Sequence, residues 1–516
     1  MKKQFFKNRR AKYGGISVLL TVLLLVCVLL ANTLFGTLAA RYGWAADMHP
    51  TQTFPVGEKS AALVKAALDA AGATEGAKVQ IHFCDSPKNL EAGTYSSYVY
   101  TTAKEFVGRD ERIELVYHDI LHNPGSVAGY LTSTVIDSET GTATEQEITL
   151  QTTSVIITFG ERHRAYSIRE FFQWEGSDSS TPTAYAGERK LAAGILRATA
   201  PNAPVACLTN NHGEVFYDAE VLYLLDDAGY RLDFVDLTKS VIPEECSLLV
   251  CFNPNNDLAE KSAVSSISET EILDSFLSVP GHALLVFLES RTPKLKNLDA
   301  YLSEWGIAPC YASGETADYR YMIRDDMSSL TSDGYTIPGK KNQNGLAGEL
   351  TKGVSQTPVF PGASGFRVAS GFVPAADGAY EKGNRRVTAL YESGSGAVAW
   401  ANGKAVDADP VGLMAYSEQT LEGGVSRVAV VFSVNFATRE WLQPTAYGNG
   451  DLLLRLTEKM NGNTTVAGIP AAAFPSSVMH GLSRAERIGW TAALILLPVV
   501  VVTSIAVPVL LRRKHD

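Results

Sequence analysis

The sequence predicts an α/β protein: a mainly parallel sheet, preceded by a smaller α/β domain, with one transmembrane helix at each end. Three observations carry this expectation. Between residues 184 and 305, short apolar runs alternate with amphipathic helical patterns, as strands buried on both faces do. Residues 48–175 show a looser mixture of helix and strand. The two ends hold long apolar runs without a charge.

The ends come first. Residues 1–13 contain Lys2, Lys3, Lys7, Arg9, Arg10 and Lys12 and no acid. The run 14–40, GGISVLLTVLLLVCVLLANTLFGTLAA, exceeds the roughly 20 apolar residues that a bilayer core requires. A cleavable signal peptide is the rival reading, with small residues in TLAA and RYGWAADM, but its apolar region is typically about 7–15 residues. The run 489–511, GWTAALILLPVVVVTSIAVPVLL, contains Pro498 and Pro508, which membrane helices tolerate. A basic tail, 512–516, follows. Basic tails outside both runs place both termini in the cytoplasm and the large domain outside it, in a two-pass cell-membrane protein.

The outer region, taken in order, begins with a helix at 58–73 and strands at 78–84 and 112–120. A hairpin follows, 153–160 with 163–168, joined at 160–162. The polar run 175–183 reads as a linker. Then come a helix (188–199), a strand (205–209), a helix (218–228), strands at 232–237 and 248–252, a helix (270–278), a strand (282–289) and a helix (298–305). Residues 310–384, rich in Gly, Ser and Asp, read as an irregular insertion. Strands return at 386–392 and 427–433, and a helix at 451–460 closes the domain spanning 184–465.

Composition excludes some functions. The 516 residues carry a net charge of −10, which disfavours a nucleic-acid partner. Of the six cysteines, Cys27 lies in the first apolar run. Cys84, Cys207, Cys246, Cys251 and Cys310 fit no zinc spacing and read as buried thiols, with a Cys246–Cys251 disulfide as an alternative. His82, His118, His122 and His163 form no spaced metal pair. GYTIPGKK (334–341) has the skeleton of a phosphate-binding loop, but Lys341 replaces the hydroxyl that would hold magnesium, the run before it is polar, and NQNGLAGEL after it is a poor helix start. It reads as a surface turn. Cys251 ends an apolar strand without the glycines of a nucleophile elbow, which argues against catalysis. No catalytic residue, metal or cofactor is expected.

In open parallel sheets, ligands gather at the carboxyl ends of the strands. Asn210, His212 and Glu214 stand at one such end, in VACLTNNHGE. Asn253 and Glu289 stand at two others. These five are the candidate residues for binding a ligand or partner. In the alternative, Asn210–Gly213 only turns the chain and Glu214 caps the next helix.

Several stretches resemble the GldG family, the auxiliary subunits of gliding-type ABC transport systems. YAGERKLAAGILRATAPNAPVACLTNNHGE (185–214) is similar to the family's Gly-Glu, helix, strand, Gly-His-Gly-Glu run, with Asn211 where Gly is usual. SLLVCFNPNNDLAEKS (247–262) is similar to its strand, Pro and Asp-Leu run. PGHALLVFLESRTPKLKNLDAYLSEWGIAP (280–309) is similar to its Gly-Gly strand and following helix, with His282 for the second Gly. VAVVFSVNFATREW (428–441) and YGNGDLLLRL (447–456) resemble its last strand and helix, although 433–435 depart from the usual Gly-Asp-Ser. The resemblance implies the ABC-transporter auxiliary domain, related to the flavodoxin-like fold of class I glutamine amidotransferases without their catalytic set. It implies a non-enzymatic subunit that works with a separate multi-span permease and a cytoplasmic ABC ATPase. A solitary membrane-anchored binding or sensor protein, and an envelope amidotransferase-like hydrolase, are the alternatives.

Overall fold

The computed structural model describes residues 54–474 except 137–142, 175–180, 240–241, 262–266, 314–317 and 463, together with scattered helical positions within 18–33 and 485–506. By its contacts the chain separates into residues 1–53 and 54–516. In the first unit the described positions, from Val18 to Thr33, are helical.

The second unit opens with helix α1 (Glu58–Ala70), strand β1 (Val79–Phe83), helix α2 (Ser96–Arg109), strand β2 (Ile113–Tyr117) and the hairpin β3 (Val155–Phe159) and β4 (Arg162–Tyr166). They make a four-stranded sheet in the order β2-β1-β3-β4, in which only β1 and β2 run parallel. Val79, Ile81 and Phe83 alternate along β1 and bury one face against α1 and α2, through Val64, Leu68, Val99 and Phe106.

The larger sheet follows. Helix α3 (Gly187–Thr199) leads into strand β5 (Val205–Thr209), helix α4 (Glu220–Asp227) and strands β6 (Arg231–Val235) and β7 (Cys246–Phe252). Helix α5 (Glu269–Leu277), strand β8 (Ala283–Phe287) and helix α6 (Lys296–Glu304) come next. Strands β9 (Arg385–Glu392), β10 (Gly412–Leu421) and β11 (Gly424–Val431) and helix α7 (Asn449–Asn461) complete it. The strand order is β6-β5-β7-β8-β11-β10-β9, continued by two short strands at 380–382 and 373–374.

The apolar runs explain the layering. In β5, β7, β8 and β11, neighbouring residues enter opposite cores. Ala206, Leu208, Val250 and Leu285 pack in the layer of α3, α4 and α7. Cys207, Leu249, Leu284 and Val430 pack in the layer of α5 and α6. Strands covered on both faces need no polar positions, so they read as continuous apolar segments. The first of these cores is continuous with that of the small sheet, through Leu191 and Ile195 of α3.

Two expectations are corrected. The sheet is not mainly parallel and flavodoxin-like. Its 12 strands form a mixed sheet. β6, β5, β7, β8 and β11 are parallel, but β11-β10, β10-β9 and the strands beyond are antiparallel. The physical reason lies after α6, where helical crossovers stop and successive strands are joined by short turns, which connect antiparallel neighbours. The expected irregular insertion (310–384) contributes to this, with short strands at 340–341 and 366–368 joining the sheet, the latter also pairing with a short strand at 307–309.

The second correction concerns the membrane. Among the described residues no helix is long and apolar enough to cross a bilayer, against the two spans and the two-pass cell-membrane placement expected. The longest helix described in full, α2, has 14 residues and is amphipathic, short of the roughly 20 apolar residues required. The run 14–40 falls largely outside the described residues and the run 489–511 falls partly outside them, while the tails 1–13 and 512–516 fall wholly outside them.

The five cysteines from Cys84 to Cys310 are free and buried. Cys246 and Cys251 share the extended strand β7, which holds their Cα atoms ~16 Å apart at about 3.3 Å per residue, far beyond disulfide reach. GYTIPGKK supplies strand pieces at 336–338 and 340–341, and Lys341 Nζ donates to the Thr351 carbonyl at 2.6 Å. It cradles no phosphate, because its backbone is committed to strand pairing.

Candidate functional site

The order of the parallel strands reverses between β5 and β7. The helix after β5, α4, lies in one layer and the helix after β7, α5, lies in the other. That divergence opens the sheet's carboxyl end at this point, and the loops leaving β5, β7 and β8 carry all five candidate residues.

The loop after β5 turns sharply. Asn211 (φ 74°) and Gly213 (φ 70°) are left-handed, a region that Gly and Asn enter at least cost. The loop after β7 clasps it. Asn255 and Asn256 donate their backbone N–H groups to the His212 carbonyl at 2.8 and 2.7 Å. Asn255 Nδ2 donates to the Gly213 carbonyl at 2.7 Å.

His212 is only 3% exposed and is held between two acids. Glu214 accepts from the His212 backbone N–H at 2.7 Å, and its other oxygen lies 3.3 Å from Nδ1. Glu269, at the start of α5, lies 2.9 Å from Nε2 and also accepts from the Ala259 N–H at 2.6 Å. Burial disfavours the imidazolium, but the hydrogen bonds and charges of Glu214 and Glu269 outweigh it and push His212 up to about 10. Burial also opposes the Glu214 charge, yet the hydrogen bond from His212 keeps its carboxyl below the usual range. At neutral pH the ring is therefore an imidazolium with both nitrogens engaged, and it has no lone pair to act as a base.

Cys251, at the end of β7, is buried. Burial, followed by the negative charge of Glu214, pushes its thiol up to about 12, so the reactive thiolate is absent at neutral pH.

A second polar group forms beside β7 and β8. Asn253, left-handed at φ 49°, is 4% exposed. Its Oδ1 accepts from Thr292 Oγ1 at 3.0 Å, which in turn accepts from the Glu289 N–H at 2.9 Å. The Glu289 carboxylate, itself 3% exposed, accepts from the Tyr217 hydroxyl at 2.6 Å and lies 3.4 Å from Arg291 Nε. Burial and then the Glu289 hydrogen bond push the Tyr217 phenol up to about 12. Tyr217 is 41% exposed, so it and the outward-facing Arg291 form the solvent side of this group.

The structure thus joins His212 directly to Glu214, and Asn253 to Glu289 through Thr292. Asn210 hydrogen-bonds to neither group among the described residues: its N–H donates to the Val235 carbonyl at 3.0 Å, and its buried Oδ1 has no partner. Glu214 does not cap α4, because Asp218 accepts from the Glu220 N–H at 2.9 Å. Sequence reasoning misses Glu269, Tyr217 and Thr292. The Ser268–Glu271 capping box marks the start of α5 in the sequence, but nothing local shows that Glu269, inside it, faces a histidine from another loop.

His82 and His118 do meet, with Nδ1 and Nε2 2.9 Å apart. They are hydrogen-bonded to each other, and among the described residues no group of three His, Cys, Asp or Glu is placed to hold a metal. Burial, then the neighbouring His118, lowers His82 to about 4.

No family model matches the chain, and no curated protein matches it. Among solved structures, a chain described as "mmIFT52 N-terminal domain" aligns with 13% identity and a TM-score of 0.34, covering 50% of this chain and 96% of that one.

Proposed function

We propose that this chain is a non-enzymatic accessory subunit of an ABC-type transport complex. It would work with a separate multi-span permease and a cytoplasmic ABC ATPase, and its strand-end face would bind the substrate or a partner subunit. The observation that supports a binding role is the state of the strand ends. His212 has both nitrogens occupied by carboxylates, and Cys251 is held as a neutral thiol. A face whose acid, base and thiol are all committed offers shape and hydrogen bonds rather than proton transfer. Tyr217 and Arg291, poised over Glu289, are the groups it presents outward. Both residue types recur in binding interfaces.

The ABC assignment draws its support from the stretches 185–214, 247–262, 280–309 and 428–456, which resemble the GldG family. Affinity capture of the tagged full chain from a gentle detergent extract, with mass spectrometry of what accompanies it, tests the reading. Recovery of an ABC ATPase and a multi-span permease is the expected result. Recovery of neither, in a detergent that preserves other ABC complexes, refutes it.

A further inference from the structure

On the face of the small sheet away from α1 and α2, His82 of β1 and His118, just past the end of β2, bring Nδ1 and Nε2 within 2.9 Å. The parallel register of β1 and β2 puts them there: His82 lies beside Val116, and the His118 backbone N–H donates to the Phe83 carbonyl at 2.8 Å. The other nitrogen of His82, Nε2, lies 3.1 Å from Thr158 Oγ1 of β3. His82 is 2% exposed.

The pair has a cover. After β2 the chain forms a short 3₁₀ helix (Pro124–Tyr130), and two of its side chains reach the sheet. Val127 is buried with Cys84 and Ile156. The Tyr130 ring stands 5.1 Å from His82, 6.5 Å from His118 and 5.5 Å from His163 of β4. Among the described residues, the backbone hydrogen bonds of 119–130 stay within the segment, as from Asn123 to Asp119 and from Ser126 to Asn123. Side-chain packing is what holds it down.

Two neutral imidazoles carry one N–H each, enough for one ring to donate to the other. One added proton keeps that hydrogen bond but puts a charge in a buried place. A second turns both facing nitrogens into donors, so like charges and hydrogens point at each other. The surrounding groups do not relieve this. Glu114 of β2 is the acid that acts on His82, and it already accepts from Gln80 at 2.6 Å. His163 can add only positive charge, Tyr130 is a phenol, and burial keeps the Cys84 thiol neutral by pushing it up to about 11. Asp119 and His122, exposed at the start of the segment, pair with each other at 2.8 Å. Burial, then His118, outweighs Glu114 and lowers His82 to about 4, and burial lowers His118 as well.

We propose that His82 and His118 form an acid-released latch: as neutral rings they hold the 119–130 segment on the small sheet, and protonation of both parts the rings and lets the segment lift. In the closed state His82 takes its proton only near pH 4, whereas a freed histidine takes it at about 6.5. The latch is therefore fully closed above about pH 6.5 and loosens as pH falls toward 4. Lifting uncovers Ile156, Cys84 and His82.

Amide hydrogen exchange of the full chain, read by mass spectrometry at about pH 7.5 and about pH 5 and corrected for the intrinsic pH dependence of exchange, provides the test. At about pH 5, one ring that is protonated only in the open state favours opening roughly 30-fold. Protection of 119–130 should therefore fall at least tenfold, while β1 and β3 keep theirs. His82→Gln and His118→Gln, which can hydrogen-bond but cannot take the charge, should each shrink that change at least threefold. His122→Gln, which removes only an exposed histidine, should leave it intact. Melting temperatures within a few degrees of the parent at about pH 7.5 establish that the variants are folded. Equal protection of 119–130 at the two pH values, a loss shared equally by β1 and β3, a loss undiminished in His82→Gln or His118→Gln, or one abolished by His122→Gln overturns the proposal. The first two outcomes are read from the parent chain alone and decide the matter even where a variant fails to fold.

Discussion

At the strand ends, His212 is buried between Glu214 and Glu269 with each ring nitrogen engaged. On the small sheet, His82 is just as buried but meets a second imidazole, His118, in place of an acid. The first ring is held charged and the second is held neutral. Burial opposes the charge in both places, so the neighbours decide: two carboxylates outweigh burial, and a histidine adds to it. A buried histidine is a brace or a latch according to what faces it.

That contrast can be broken by removing the first histidine. His212→Ala would leave Glu214 and Glu269 buried side by side, and stability should fall by about 3–5 kcal/mol in urea unfolding. A loss below about 1 kcal/mol would show that the cluster is no brace. Titration gives another handle on the same residue. Its pKa, about 10 in the fold, exceeds the roughly 6.5 of an unfolded histidine. The His212 contribution is therefore fully present below about pH 6.5 and is lost as pH rises through 10. Melting temperature should fall across that window, and His212→Gln should flatten the fall. Parallel curves for parent and variant would contradict the assignment.

Smaller effects sharpen the picture. Thr292→Val keeps the shape but removes the hydroxyl that serves both Asn253 and the Glu289 N–H, and about 2 kcal/mol should be lost. His118→Gln should cost about 1 kcal/mol at neutral pH, because it can still hydrogen-bond to His82 and leaves no charge buried. If His118→Gln costs as much as His212→Ala, the two histidines are held alike and the comparison fails.

The parallel strands β5, β7 and β8 are legible in the sequence because burial on both faces makes them continuous apolar runs. β10 is not. GLMAYSEQTL turns polar in its second half, and its burial comes from β9 and β11 on either side. The direction of pairing beyond α6 is equally hidden, since short strands reveal their partners only through the turns that join them. At the candidate site, His212 and Glu214 can be linked from sequence because they lie two residues apart. Glu269 cannot, because only the meeting of the loops after β5 and β7 brings it to the ring. The meeting of His82 and His118 is hidden as well, because they stand 36 residues apart and only the parallel pairing of β1 and β2 brings them together.

The position of β11 bears on synthesis. β8 pairs with β7 on one side and with β11 on the other, and between β8 and β11 the chain runs from residue 288 to 423. On the ribosome, at about 5–20 residues per second, β8 is made on the order of ten seconds before the strand that covers its open edge. During that interval the nascent protein presents ALLVF as an apolar edge strand, open to pairing with a neighbouring copy. Crowded polysomes, which hold neighbouring copies at this same stage, are therefore a setting in which that open edge can pair wrongly.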